Sequence, residues 1–171
     1  MAKAFMKPRS VALVAVMGAA LLLTACANKP TASTAGMTSG VTMGGAGGPP
    51  GSSQDFVVNV GDRVFFDTDS TELTVVARGT LDRQAQWLNR YPRTSFIIEG
   101  HADERGTREY NIALGARRAA AVEDYLVARG VAENRIRTIS YGKERPVAVC
   151  NDISCWSQNR RAVTVINSVG M

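Results

Sequence analysis

From Ala27 to Gln54 the chain has no aromatic residue and a single charge, Lys29, and it contains the run Gly44-Gly45-Ala46-Gly47-Gly48-Pro49-Pro50-Gly51. A segment of this composition has too little apolar surface to offset the entropy of ordering it, so it reads as a flexible linker and divides the chain. Its reach is about 30 Å root-mean-square, or about 95 Å fully extended. Any packed core must come from residues 55–171, a normal length for one domain.

The segment before the linker has its own logic. Lys3, Lys7 and Arg9 precede an uncharged apolar run from Val11 to Leu23. Thirteen residues are too few to span a bilayer as a helix, and a basic start with a short apolar stretch is the pattern of a secretory signal peptide. Leu23-Thr24-Ala25-Cys26 resembles a bacterial lipobox. The resemblance implies cleavage after residue 25 and acylation of Cys26; the alternative is an ordinary signal peptide with a chance cysteine. Two or three acyl chains, at roughly 0.8 kcal/mol per buried CH₂, anchor stably where one does not. Ala27 favours the outer membrane, again by resemblance. The expected organisation is thus a signal peptide at 1–25, a lipidated N-terminus and disordered linker at 26–54, and a folded domain at 55–171.

Locating the charge removes one class of function. The formal net charge is +5, which invites a nucleic-acid reading. Four basic residues and no acidic one precede residue 55, leaving 16 basic against 15 acidic in the domain. No nucleic-acid partner is expected. A single histidine, His101, excludes a multi-histidine metal site, and the expected role of His101 is a hydrogen bond to the backbone.

In the domain, Phe56–Val60 and Val64–Phe66 are rich in β-formers, with Gly61-Asp62 as a turn between two strands. Asp67-Thr68-Asp69-Ser70 offers turn and helix-cap residues. Leu73, Ala77, Leu81, Ala85 and Leu88 recur at helical spacing, predicting a helix over 71–90 that stops before Pro92. Ser95–Glu99 reads as a buried strand. Thr107 is placed to cap a second helix running to Arg129, with Gly130 just beyond its end. Arg135–Tyr141 and Arg161–Ile166 complete the strands, the last with Val163 and Val165 alternating against Thr164. The order predicts an α/β (α+β) sandwich: a mixed sheet with two main helices.

The second helix poses a charge problem. Leu114, Val122, Tyr125 and Leu126 mark its apolar stripe, and Arg118 lies one turn from both Leu114 and Val122. Arg118 therefore either snorkels at the edge of the stripe or is buried and needs a carboxylate or an anionic ligand. Gly100–Thr107 leads from a strand's end into this helix, which places Asp103 in the crevice where α/β proteins commonly bind ligands. A carboxylate, a guanidinium and the amides of a helix start together suit a zwitterion, with Asp103 taking an ammonium and Arg118 a carboxylate. Asp103 and Glu104 are adjacent carboxylates, but a glycosidase needs its pair set across a sugar bond. With no nucleophile signature either, no catalytic residue and no cofactor are expected.

Several stretches together carry a specific resemblance: Phe65-Phe66-Asp67, Glu99-Gly100-His101-Ala102-Asp103-Glu104-Arg105-Gly106-Thr107, Tyr110-Asn111, Arg117-Arg118-Ala119, Ser140–Pro146 and Asn159–Val163. They resemble the OmpA-like domain family, and within it the peptidoglycan-associated lipoproteins of the Tol–Pal system, over residues 56–167. The resemblance implies noncovalent binding of the peptidoglycan stem peptide through meso-diaminopimelate. It implies ammonium contact by Asp103, carboxylate contact by Arg118, and contacts from Asp67 and Thr68. Thr107, Asn111 and Leu114 would line the pocket, with Arg161 in support. It also implies a periplasmic TolB-like propeller partner, an outer-membrane location and a part in envelope integrity and division. The competing expectation is an interaction lipoprotein without peptidoglycan affinity. Cys150 and Cys155 depart from much of the family; in an exported loop they are expected to form a disulfide, contributing about 2 kcal/mol.

Overall fold

A four-stranded sheet in the order β1-β4-β2-β3 organises the computed structural model, which describes residues 48–167. The expected signal peptide, Cys26 and most of the linker lie outside the described residues. Strands β1 (Arg63–Phe65) and β2 (Phe96–His101) both pair antiparallel with β4 (Arg161–Ile166), while β3 (Ile136–Gly142) runs parallel to β2. The sheet is mixed, as expected. Helices α2 (Val75–Arg90) and α3 (Arg108–Ala128) bury one face of it.

The apolar stripe read for α2 is its buried face, with Leu81 and Leu88 fully enclosed alongside Phe96, Ile98, Val122 and Leu126. Each such side chain contributes roughly 1.5–3 kcal/mol on burial. The helix begins at Thr74, whose hydroxyl accepts the Ala77 N–H, and not in the Asp67–Ser70 stretch. That stretch is a turn instead, closed by the Ser70 N–H on the Asp67 carbonyl, with Asp69 at φ 54°. Thr107 caps α3 through the Tyr110 N–H, and Gly130 follows its end at φ 87°, both as expected.

Phe56–Val60 is not a strand. Ser53–Asp55 forms a short helical turn, α1, that continues into a wide π-helical turn over Phe56–Val60. Phe56 alone in this stretch is buried, edge-on against Trp87 at 4.9 Å, while Val57 and Val58 face solvent. Asp55 accepts the Trp87 indole N–H at 2.8 Å, and Gln84 donates to the Gly61 carbonyl at 2.7 Å. One aromatic anchor and contacts to α2 thus override the β-propensity of three valines. A further helix, α4 (Ile153–Asn159), went unpredicted; Asp152 caps it, and a Cys150–Cys155 disulfide closes the loop at its start.

The position of α3 depends on two glycines in contact. A Cβ at Gly100 would lie 1.8 Å from the Gly115 carbonyl oxygen, and one at Gly115 would lie 2.4 Å from Ser140 Oγ. Backbone therefore packs directly on backbone where β2 ends, and Arg118 follows Gly115 by three residues along α3.

Candidate functional site

That close approach drives the Arg118 side chain into the domain, where it is fully buried. Its Nε donates to the Ser70 carbonyl at 2.9 Å, Nη1 to the His101 carbonyl at 2.8 Å and Nη2 to the Asp67 carbonyl at 3.2 Å. The guanidinium also lies 5.2 Å from the centre of the Phe66 ring. Arg118 is thus inward-facing, and main-chain carbonyls rather than a carboxylate satisfy it. Of its five N–H groups these bonds use three, leaving two for another acceptor. Burial, with Arg160 acting the same way, lowers its pKa to about 10 against the opposing pull of Asp103 and Asp69. It stays charged at neutral pH.

Asp103 follows β2 by two residues and is 7% exposed. Its carboxylate accepts from Arg105 Nη2 at 2.7 Å, Arg105 Nε at 3.2 Å, the Arg105 main-chain N–H at 3.2 Å and Arg160 Nη1 at 3.4 Å. Burial pushes its pKa up, but the Arg105 bonds and charge, helped by Arg160, outweigh this and hold it below the usual value. Arg160 is itself buried and donates to the Phe66 carbonyl at 3.0 Å. Two guanidinium groups, of Arg105 and Arg160, therefore contact one carboxylate, and Arg118 lies near enough for the Asp103 charge to act on it.

The other expected residues divide. Asp67 and Thr68 are exposed in the loop that Arg118 holds. That loop is tied to the first turn of α3 by a hydrogen bond from the Tyr110 hydroxyl to Asp69. Asn111 is buried and donates to the Arg105 carbonyl at 2.8 Å, bracing the Asp103–Thr107 loop. Lys143 braces it from outside, on the Gly106 carbonyl at 2.7 Å. Thr107 sits exposed at the helix start, and Leu114 is buried one turn before Arg118.

Arg161 is not brought to Asp103. Its guanidinium donates to the Asn159 and Arg145 carbonyls at 3.3 and 3.1 Å, and Arg160 is the residue that touches Asp103. The phase of β4 explains this: Thr164 is buried against Gln84 on the helix side, while Val165 is 37% exposed. Arg161 shares the side of Val163 and Val165. His101 also departs from expectation. Its buried ring nitrogens have no hydrogen-bond partner; Nε2 lies 3.5 Å from Glu99, and the ring stacks on Tyr141. Burial, then Arg161 and Arg145, lower its pKa to about 4, so the ring is neutral. Arg105 and Arg160 are the side chains that meet Asp103 and that the sequence reading does not single out. Arg105 lies in the same turn as Asp103, and a two-residue reach back to a carboxylate is a signal the sequence does carry.

Glu104 accepts the Trp156 indole N–H at 2.9 Å, so it and Asp103 are held by different partners. Among the described residues, no cluster of three or more His, Cys, Asp or Glu side chains could hold a metal, and no helix is long and apolar enough to cross a membrane.

A sequence model of the OmpA family matches residues 65–160, which contain every one of these groups except Arg161. The chain is 65% identical to a peptidoglycan-associated lipoprotein of Rhizobium meliloti, over 88% of this chain and 84% of that protein. It is 62% identical to the protein of the same name from Agrobacterium fabrum, over 95% and 91% of the two chains. The solved structure of the peptidoglycan-associated lipoprotein from Burkholderia pseudomallei superposes with a TM-score of 0.61 at 42% identity, covering 62% of this chain and 90% of that one. The chain belongs to the OmpA family, and within it to the peptidoglycan-associated lipoproteins.

Proposed function

We propose that this chain is a non-enzymatic tether, anchored in the outer membrane by acyl groups on Cys26 and binding peptidoglycan noncovalently through its folded domain. The single observation that carries the reading is the pairing of Asp103 with Arg105 and Arg160 at the end of β2, with buried Arg118 beside it, in a chain whose relatives are named for peptidoglycan association. The ligand is the meso-diaminopimelate of the stem peptide. Asp103 takes its ammonium, and its carboxylate faces the two remaining N–H groups of Arg118, with Arg160 close by. Asp67 and Thr68 contribute from the loop, and Thr107, Asn111 and Leu114 shape the wall. Periplasmic exposure of the domain, a TolB-like propeller partner and a role in the Tol–Pal system during constriction complete the reading. The separate anchoring of Asp103 and Glu104 argues against a hydrolase, which needs two carboxyl groups aimed at one bond.

One observation favours the competing reading, an interaction lipoprotein without peptidoglycan affinity: Arg118 is fully enclosed and Asp103 is already paired within the chain. Sedimentation with purified peptidoglycan separates the two. The full chain is expected to co-sediment, and Asp103→Asn and Arg118→Lys are each expected to lose most of that binding. Undiminished binding by both folded variants would sink the assignment.

A further inference from the structure

The Asp103 carboxylate is already occupied, and its main occupant differs from the other guanidinium groups nearby. Arg118 and Arg160 are buried and bound to main-chain carbonyls. The Arg105 side chain is 42% exposed, and among the described residues it hydrogen-bonds to Asp103 alone. Its guanidinium reaches Asp103 through both Nε and Nη2, while its flat face lies 4.2 Å from the centre of the Trp156 ring. Trp156 is fixed in turn by its bond to Glu104 and by its place in α4, next to disulfide-bonded Cys155. The chain therefore presents its own planar cation to Asp103, held on an aromatic shelf with its outer side open to solvent.

We propose that Arg105 is an internal stand-in for the ligand's cation, which closes the pocket over Asp103 in the free protein and yields Asp103 to an incoming ammonium. The proposal rests on the peptidoglycan reading and adds a selection step to it. A stem peptide gains Asp103 only by displacing Arg105, so the apparent affinity is reduced by the fraction of molecules in which the pair is closed. A ligand whose amine is acetylated has nothing to exchange and leaves the pocket shut. The displaced guanidinium stays on the same short loop, where it adds positive charge facing the ligand's carboxylates.

The test is a calorimetric titration of the full chain with the tripeptide Ala–Glu–diaminopimelate, run on wild type, Arg105→Gln and Arg105→Lys. Arg105→Gln is expected to bind roughly three- to fivefold more tightly than wild type, since a partly exposed ion pair no longer competes. This gain is expected to shrink at high salt, where the competing pair in wild type is screened. Arg105→Lys keeps a competing cation and is expected to stay near wild type. In wild type the indole N–H resonance of Trp156 is expected to move on titration, and in Arg105→Gln to move less. If wild type binds and Arg105→Gln binds equally or more weakly, the stand-in role is overturned while the peptidoglycan reading survives. A gain shared in full by Arg105→Lys also overturns it, since charge competition is then not the cause. Absence of binding by all three proteins defeats the peptidoglycan reading and this proposal with it.

Discussion

At opposite ends of the β2–β3 strand pair, an arginine is clamped by three main-chain carbonyls. Arg135 donates to the carbonyls of Leu88, Tyr91 and Thr94, at 2.9–3.0 Å, and so ties the end of α2 to the approach to β2. Arg118 makes the equivalent set with Asp67, Ser70 and His101. Their surroundings differ. Burial alone lowers the pKa of Arg135, and its bonds serve carbonyls at and just beyond a helix end, where a cation is favoured. Arg118 is wholly enclosed and shares its neighbourhood with Asp103 and Arg160. A carbonyl clamp is therefore a structural device wherever it occurs. What sets one end apart is the gathering of Arg105, Arg160 and Arg118 at Asp103, the feature on which the proposed receptor role rests.

The contrast can be broken most severely at Arg118. Arg118→Met leaves three carbonyls without their donor, with an expected loss of about 3–5 kcal/mol in denaturant unfolding together with loss of stem-peptide binding. Gly100→Ala attacks the same end without touching a charge. Its Cβ would meet the Gly115 carbonyl at 1.8 Å, so α3 must move off β2 and carry Arg118 from the His101 carbonyl. The expected cost is about 3 kcal/mol, and unchanged thermal stability would contradict the packing described.

His101 gives a pH signature of comparable size. Its folded-state pKa of about 4 lies below the ordinary 6.5, so above about pH 6.5 it contributes no pH dependence. As pH falls from there towards 4, the unfolded chain takes up a proton that the folded chain refuses. Stability therefore drops by about 1.4 kcal/mol per pH unit, approaching 3 kcal/mol in all. Denaturant midpoints across that range should reveal the slope, and His101→Phe should flatten it. The smallest expected effect belongs to Arg135→Ala: about 1–2 kcal/mol of stability, with stem-peptide affinity unchanged. Equal loss of binding from Arg135→Ala and from Arg118→Met would erase the distinction between the two ends.

The sequence made the second helix legible in detail, because Thr107, the apolar stripe and Gly130 each act within a few residues of their own position. The extent of β4 was equally plain, but not the side it presents. Val163 and Val165 point away from the helices while Thr164 is buried, because Gln84 of α2 offers its amide oxygen to the threonine hydroxyl. A partner 80 residues away decides that phase, and it exchanges Arg161 for Arg160 at Asp103. Phe56–Val60 misled for a similar reason: Trp87 and Gln84 supply the contacts that hold it as a wide turn. Helical spacing placed Arg118 on the apolar seam, leaving snorkelling or burial open, and the end of a strand placed Asp103. Nothing local placed the carbonyls of Ser70 and Asp67, since only the folded loop brings them within reach of a residue about 50 positions along.

The most direct test of the central claim compares two ligands that differ by one carboxylate. The full chain is titrated calorimetrically with the tripeptide Ala–Glu–diaminopimelate and with Ala–Glu–Lys, which keeps the ammonium and lacks the distal acid. If surplus guanidinium charge beside Asp103 makes this end a zwitterion receptor, the lysine peptide should bind at least about tenfold more weakly, the loss of one charge-assisted hydrogen bond. Equal affinity for both peptides would contradict the account.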